Sequence, residues 1–288
     1  MLDVKPTDPE GTFLGDVHVV TEGDPQAPAV AMIHGIPGST RDFRYLGPAV
    51  AALGLRAVRI DLPGFGKTPA SAFASSRVPD RAVFIQRVMR SLGHDTFALA
   101  GHSFGGSIAT HCASLFPDAV SALVVINSIS TRRHRGYRAP GALIRASTRL
   151  LDVPFVGPRW HEVVKRGYAA MGLRSDTGLA VDVIKLQFAI FGGIDFKELR
   201  VAASRVRCPA LVVSAKDDPL VEPACGFALA RSLVRAPLVS HLHVESGGHF
   251  LQKHQAPAIA RWLARTLLGS IASLEDPERR QRALEAVG

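Results

Sequence analysis

The chain has 288 residues, 47% hydrophobic and 20% charged, which is enough apolar material for one large core or a core carrying an insertion. Its net charge of +9 is spread thinly, with no basic helix interleaved with aromatics, and Gly and Pro are dispersed; this argues against a nucleic-acid binder, a collagen-like chain and a disordered one. The three cysteines, Cys112, Cys208 and Cys225, lack disulfide-framework or zinc-ligand spacing, and neither a signal peptide nor a bilayer-spanning run is read, so the expectation is a soluble cytoplasmic protein that needs no metal.

In chain order, residues 12–20 read as an antiparallel opening strand, closed by the turn Gly23-Asp24-Pro25. Ala29–Ile33 is a strand, followed by the loop His34-Gly35-Ile36-Pro37-Gly38 and a helix over 41–53. Arg56–Ile60 is the next strand. The turn after it, Asp61-Leu62-Pro63-Gly64-Phe65-Gly66, lacks the Lys-Ser/Thr of a phosphate loop and reads as structural. A helix over 78–92 has Pro79 in its first turn, a tolerated position. Strand 97–100 leads into helix 104–116, which Pro117 stops, and strand 122–126 follows. Strand 210–213 is apolar at successive positions, as in a parallel sheet covered on both faces. Strand 239–244 alternates and belongs near an edge, and a helix over 255–268 ends at Gly269. Strand-helix alternation predicts an α/β fold with a mostly parallel central sheet of about eight strands. Between Ser128 and Arg207 the rhythm breaks into three helices, over 139–151, 159–171 and 178–191. These predict a helical cap (residues 128–207) inserted after strand 122–126, strand 6 of the expected eight, in a core made of 1–127 and 208–288. After Asp276-Pro277 a short charged helix is read, without a role.

The chemistry centres on Gly101-His102-Ser103-Phe104-Gly105-Gly106, placed directly between a strand and a helix. A serine on so sharp a turn needs minimal neighbours, hence Gly101 and Gly105, and its hydroxyl then stands exposed at the positive end of a helix. A serine hydroxyl needs a base, and His249 after Gly247-Gly248 lies beyond the last strand; the base needs an acid, and Asp217 or Asp218 follows strand 210–213. The backbone N–H groups of Ile36 and Phe104 are candidate oxyanion donors.

With these residues assembled, the sequence resembles the α/β-hydrolase fold superfamily over nearly its whole length. The resemblance rests on His34-Gly35, Asp61-Leu62-Pro63-Gly64-Phe65-Gly66, the turn at Ser103, Asp218 and His249. It implies that the acid is Asp218, three residues after Ala215, which stands where a glycine is common; Asp217 competes for the role. The alternative acid position after strand 6 is Asn127, which is not a carboxylate. Ser103 also departs from the aspartate nucleophile of haloalkane dehalogenases and epoxide hydrolases. The implied enzyme is a serine hydrolase without cofactor, acting on a small-molecule carboxylic ester or related acyl bond through an acyl-enzyme. C–C bond, amide or lactone hydrolysis, acyl transfer and cofactor-free perhydrolysis use the same triad, and a non-catalytic ligand-binding module is the reading of another class.

Candidate substrate contacts are His34, Gly35 and, among the cap aromatics Phe155, Trp160, Tyr168, Phe188 and Phe191, chiefly Trp160. His34 and His102 suit hydrogen bonding to loop backbone. His241 and His243 share a strand face but have no third metal ligand at a sensible spacing. The stretch from Arg132 to Arg138 suits a solvated loop, or an approach path for an anionic substrate.

Overall fold

The computed structural model describes residues 5–7, 9–73, 75–137, 141–170 and 180–269. Eight strands form one sheet: β1 (Thr12–Leu14), β2 (Val17–Glu22), β3 (Ala29–Ile33), β4 (Arg56–Ile60), β5 (Phe97–His102), β6 (Val120–Ile126), β7 (Ala210–Ala215) and β8 (Val239–Val244). Their order is β1-β2-β4-β3-β5-β6-β7-β8, with β2 antiparallel to both of its neighbours, β1 and β4, and the remaining pairs parallel. This is the fold class read from the sequence. The opening strand is in fact a hairpin, because Gly15 at φ 57° and Asp16 turn the chain between β1 and β2.

The sheet buries both faces, and alternate residues of one strand feed opposite layers. On β3, Ala31 and Ile33 join the layer under α2 (Val78–Ser91) and α3 (Phe104–Leu115), while Val30 and Met32 face α1 (Leu46–Ala51) and α10 (Ala256–Leu268). The helix expected over 41–53 is split into a 3-10 turn at Thr40–Phe43 and α1. Pro48, with no N–H to donate, fits only the first turn of a helix, so α1 starts at Leu46.

Between β6 and β7 lie α4 (Gly141–Ser147), α5 (Val156–Ala170), α6 (Val181–Gly192) and α7 (Phe196–Arg205). Residues 139–140, 171 and 178–179 of the three expected helices lie outside the described residues, as does the helix expected after Asp276-Pro277. α7 was not anticipated. Asp195 caps it by accepting from the N–H groups of Lys197 and Glu198, and Leu199 and Ala203 enter the layer beneath α3. It therefore sits with the sheet-flanking helices, although its sequence falls inside the span expected for the cap. α8 (Pro223–Ser232), which follows β7 with Pro223 in its first turn, was likewise not anticipated; α9 (Leu251–His254) precedes α10.

Candidate active site

Ser103 joins β5 to α3 with φ 53° and ψ −119°, a conformation that L residues rarely adopt. Glycine makes the turn possible. A Cβ on Gly101 would collide with the carbonyl of Gly105, and one on Gly105 with the carbonyls of Ile33 and His34. Gly106, not singled out from sequence, is equally constrained, since a Cβ there would strike the Ser128 side chain. A Cβ on Gly35 would stand 3.0 Å from that of Ser103, so the loop after β3 packs directly on the serine.

His249 and the two aspartates occupy the loops after β8 and β7. His249 Nδ1 donates to Asp218 Oδ2 at 2.8 Å, and both side chains are buried. The other oxygen of Asp218 accepts from the N–H groups of Leu220 (2.8 Å) and Val221 (3.0 Å). Asp217 is engaged differently, accepting from Gly248 N–H at 2.8 Å and Gly247 N–H at 3.1 Å. Those amides hold its carboxyl below the usual carboxylate range. The structure thus separates two carboxylates that the sequence left in competition. One faces the imidazole and the other ties down its loop.

Ser103 and His249 open on one cavity of about 570 Å³, walled largely by apolar groups including Ile36, Ile129, Val164, Phe188 and Leu220. Among the described residues no hydrogen bond joins Ser103 to His249; such contacts often tighten only around a bound substrate. Phe104 is the first residue of α3, whose N–H has no partner within the helix. Trp160 and Tyr168 also line the cavity.

His34 and Gly35 are not among the lining residues. Fully buried, His34 donates from Nδ1 to the carbonyl of Gly35 at 2.7 Å and accepts at Nε2 from Leu62 N–H at 2.9 Å; burial pushes its pKa down. His34 therefore fixes loop backbone, and Gly35 backs onto Ser103. Asp61 fastens the adjoining turn, accepting from Thr40 N–H at 2.6 Å and Lys67 N–H at 2.9 Å.

His102 and Asn127 hold the backbone of His249. His102 Nε2 donates to the carbonyl of His249 at 2.8 Å, and its pKa lies well below the ordinary imidazole value through burial and the neighbouring charge of His249. Asn127, considered from sequence only as an alternative acid, donates to the carbonyls of Gly248 (2.9 Å) and His249 (3.1 Å) and accepts from Ala215 N–H at 3.1 Å. The sequence signal was present: a short amide at the carboxyl end of a central strand, where loops converge.

The middle of the basic stretch reaches the cavity, where His134, Arg135 and Tyr137 line it. Arg132 pairs with Glu222 at 3.9 Å, Arg135 N–H bonds the same carboxylate, and the Arg133 guanidinium lies over the Tyr137 ring at 5.5 Å. Arg138 lies outside the described residues. His241 and His243 both meet Ser214 Oγ, at 2.8 and 2.9 Å, away from this cavity's lining. Among the described residues no group of three ligating side chains converges, and no helix is long and apolar enough to cross a membrane. The three cysteines are buried, with thiols pushed up to about 12 for Cys112 and Cys225 and about 11 for Cys208.

Comparison with known proteins agrees with this architecture. The family profile described as alpha/beta hydrolase fold matches residues 28–146. RutD of Variovorax paradoxus, whose name assigns it provisionally to carbamate hydrolysis, is 26% identical over 273 residues, covering 91% of this chain and 98% of that one. Epoxide hydrolase 3 of Xenopus tropicalis is 34% identical over 116 residues, 38% of this chain and 30% of that protein. Among solved structures, the enol-lactonase of Burkholderia xenovorans superposes with a TM-score of 0.66 at 21% identity, covering 88% of this chain and 96% of that one.

Proposed function

The chain is a hydrolase of the α/β-hydrolase fold superfamily, and on that premise we propose that it cleaves a carboxylic ester or related acyl bond through Ser103, His249 and Asp218. The observation that carries this reading is the 2.8 Å bond from His249 to the buried Asp218, with His249 and Ser103 facing one apolar cavity. Asp218 fixes the imidazole with its proton on Nδ1, leaving Nε2 as the base. Nε2 takes the Ser103 hydroxyl proton as Oγ attacks the carbonyl carbon. The N–H groups of Ile36 and Phe104 receive the oxyanion. Collapse breaks the acyl–oxygen bond, and the imidazolium returns its proton to the leaving alkoxide. Water, deprotonated by the same imidazole, then hydrolyses the acyl-enzyme and restores Ser103. Helices α4–α6 serve as the cap, and Trp160 on α5 belongs to the substrate wall. No step requires a cofactor.

A fluorophosphonate probe and a chromogenic ester panel of graded acyl length test the reading. Labelling and turnover of the wild-type chain, with both abolished in Ser103→Ala, are the expected result; an unlabelled wild-type chain, or equal labelling of the variant, overturns it. A second reading, acyl–nitrogen cleavage, is favoured by the likeness to RutD across 91% of the chain. It predicts higher kcat/KM on carbamates than on esters of matched size in the same panel.

A further inference from the structure

Two side chains from neighbouring strands converge on one backbone atom. His102, the last residue of β5, and Asn127, just past the end of β6, both donate to the carbonyl of His249, at 2.8 and 3.1 Å. Asn127 adds a second bond to the carbonyl of Gly248 at 2.9 Å, and its Oδ1 takes the N–H of Ala215, the last residue of β7. One amide therefore spans the strand that leads to the acid and the loop that carries the base. The amide's orientation follows from its partners: reversed, its oxygen would face two carbonyls and its NH₂ group would face an N–H.

Few residues meet the demands of position 127. Its φ of 41° lies in the left-handed region, which asparagine tolerates better than most side chains. It needs donors on one side and an acceptor on the other, at the reach of a single methylene. Aspartate lacks the donors, alanine lacks both functions, and glutamine is one methylene too long.

We propose that Asn127 and His102 are positioning residues that clamp the backbone carbonyl of His249 and so set the imidazole's place relative to Ser103. This rests on the reading of His249 as the general base. Asp218 orients the ring about its own bonds, whereas the clamp fixes the point from which the ring hangs. A free carbonyl would let the loop drift, and displacement of a reacting group by about 1 Å costs on the order of 10²-fold in rate. Both donors are required, because one hydrogen bond leaves the carbonyl free to pivot.

The test is steady-state kinetics on the best ester of the panel, for Asn127→Ala, Asn127→Asp, His102→Ala and the double variant Asn127→Ala/His102→Ala. Rates are divided by the fraction of folded protein measured by circular dichroism. Asn127→Asp keeps an acceptor for Ala215 N–H and guards against simple failure to fold. The expected result is a fall in kcat of about 10²-fold in each single variant, with KM within about threefold of wild type. The double variant should lose no more than its worse parent, since a carbonyl released by one donor is already free. Single variants with wild-type kcat per folded molecule, or a double variant whose loss is the product of the two, would overturn the clamp. Retained turnover in Ser103→Ala would instead overturn the underlying triad reading, so the two failures are distinguishable.

Discussion

Asp218 Oδ2 lies 2.8 Å from His249 Nδ1, while Asp217, one residue earlier, spends both oxygens on the amides of Gly247 and Gly248. Adjacent residues of one turn thus divide the work. One carboxylate meets the imidazole and the other closes the loop beneath it. Replacing each by asparagine separates these roles. Asp218→Asn should lower kcat by about 10³–10⁴-fold, because the imidazole loses the partner that fixes its tautomer. Asp217→Asn should cost less than about threefold, since an amide oxygen still accepts from the loop. Steady-state kinetics on a common ester decides, and the opposite ranking would sink the assignment.

The turn at Ser103 gives a stability prediction whose sign is not the usual one. Alanine in place of a helical glycine ordinarily gains up to about 1 kcal/mol. At Gly105 the new methyl would collide with the carbonyls of Ile33 and His34, backbone atoms of the central strand and its loop that cannot step aside. Overpacking should dominate, so Gly105→Ala is expected to lose at least about 3 kcal/mol in chemical denaturation. A variant as stable as wild type would show that the strand and helix do not approach as described.

Acid should destabilise the fold before its carboxylates titrate. Burial lowers the pKa of His34, His102, His111 and His134, in each case as the largest cause. Below the ordinary imidazole value the unfolded chain binds protons that the folded chain refuses. Their contribution to stability is therefore full above that value and is lost as pH falls beneath it. Each such histidine adds a slope of about 1.4 kcal/mol per pH unit, down to its folded pKa. Urea midpoints measured from about pH 7.5 to about 5 should fall steadily, and His111→Gln should flatten the slope. A level midpoint across that window contradicts the account.

The arginines of the basic stretch predict a salt-dependent preference. With Arg135 lining the cavity, Arg133 over the ring of Tyr137, another lining residue, and Arg132 next in sequence, an anionic ester should be drawn in faster than a neutral one. Changing all three to glutamine should lower kcat/KM for the anionic ester by about 3–10-fold at low salt and leave the neutral ester nearly unchanged. Equal effects on both esters, or none with unchanged salt dependence, would return this stretch to an ordinary solvated loop.

The sequence alone determined the central strands β3 and β4 to the residue, where a doubly covered sheet leaves little freedom, and the edge strand β8 through its alternating pattern. It also determined the strained serine turn, since Gly101 and Gly105 flank Ser103 directly between a strand and a helix. Local signals faded where packing outweighs propensity: α7, capped by Asp195, was hidden inside a stretch read as cap, and Pro48 broke a helix that periodicity had continued. Only the tertiary structure showed which of Asp217 and Asp218 bonds the His249 imidazole, withdrew His34 into the loop backbone, and brought Asn127 and His102 onto the carbonyl of His249. Those relations join residues more than a hundred positions apart, or rest on which way one side chain turns at the end of a strand. Neither depends on the neighbouring sequence; both are set by the order of strands in the sheet, which places the ends of β5, β6 and β7 side by side.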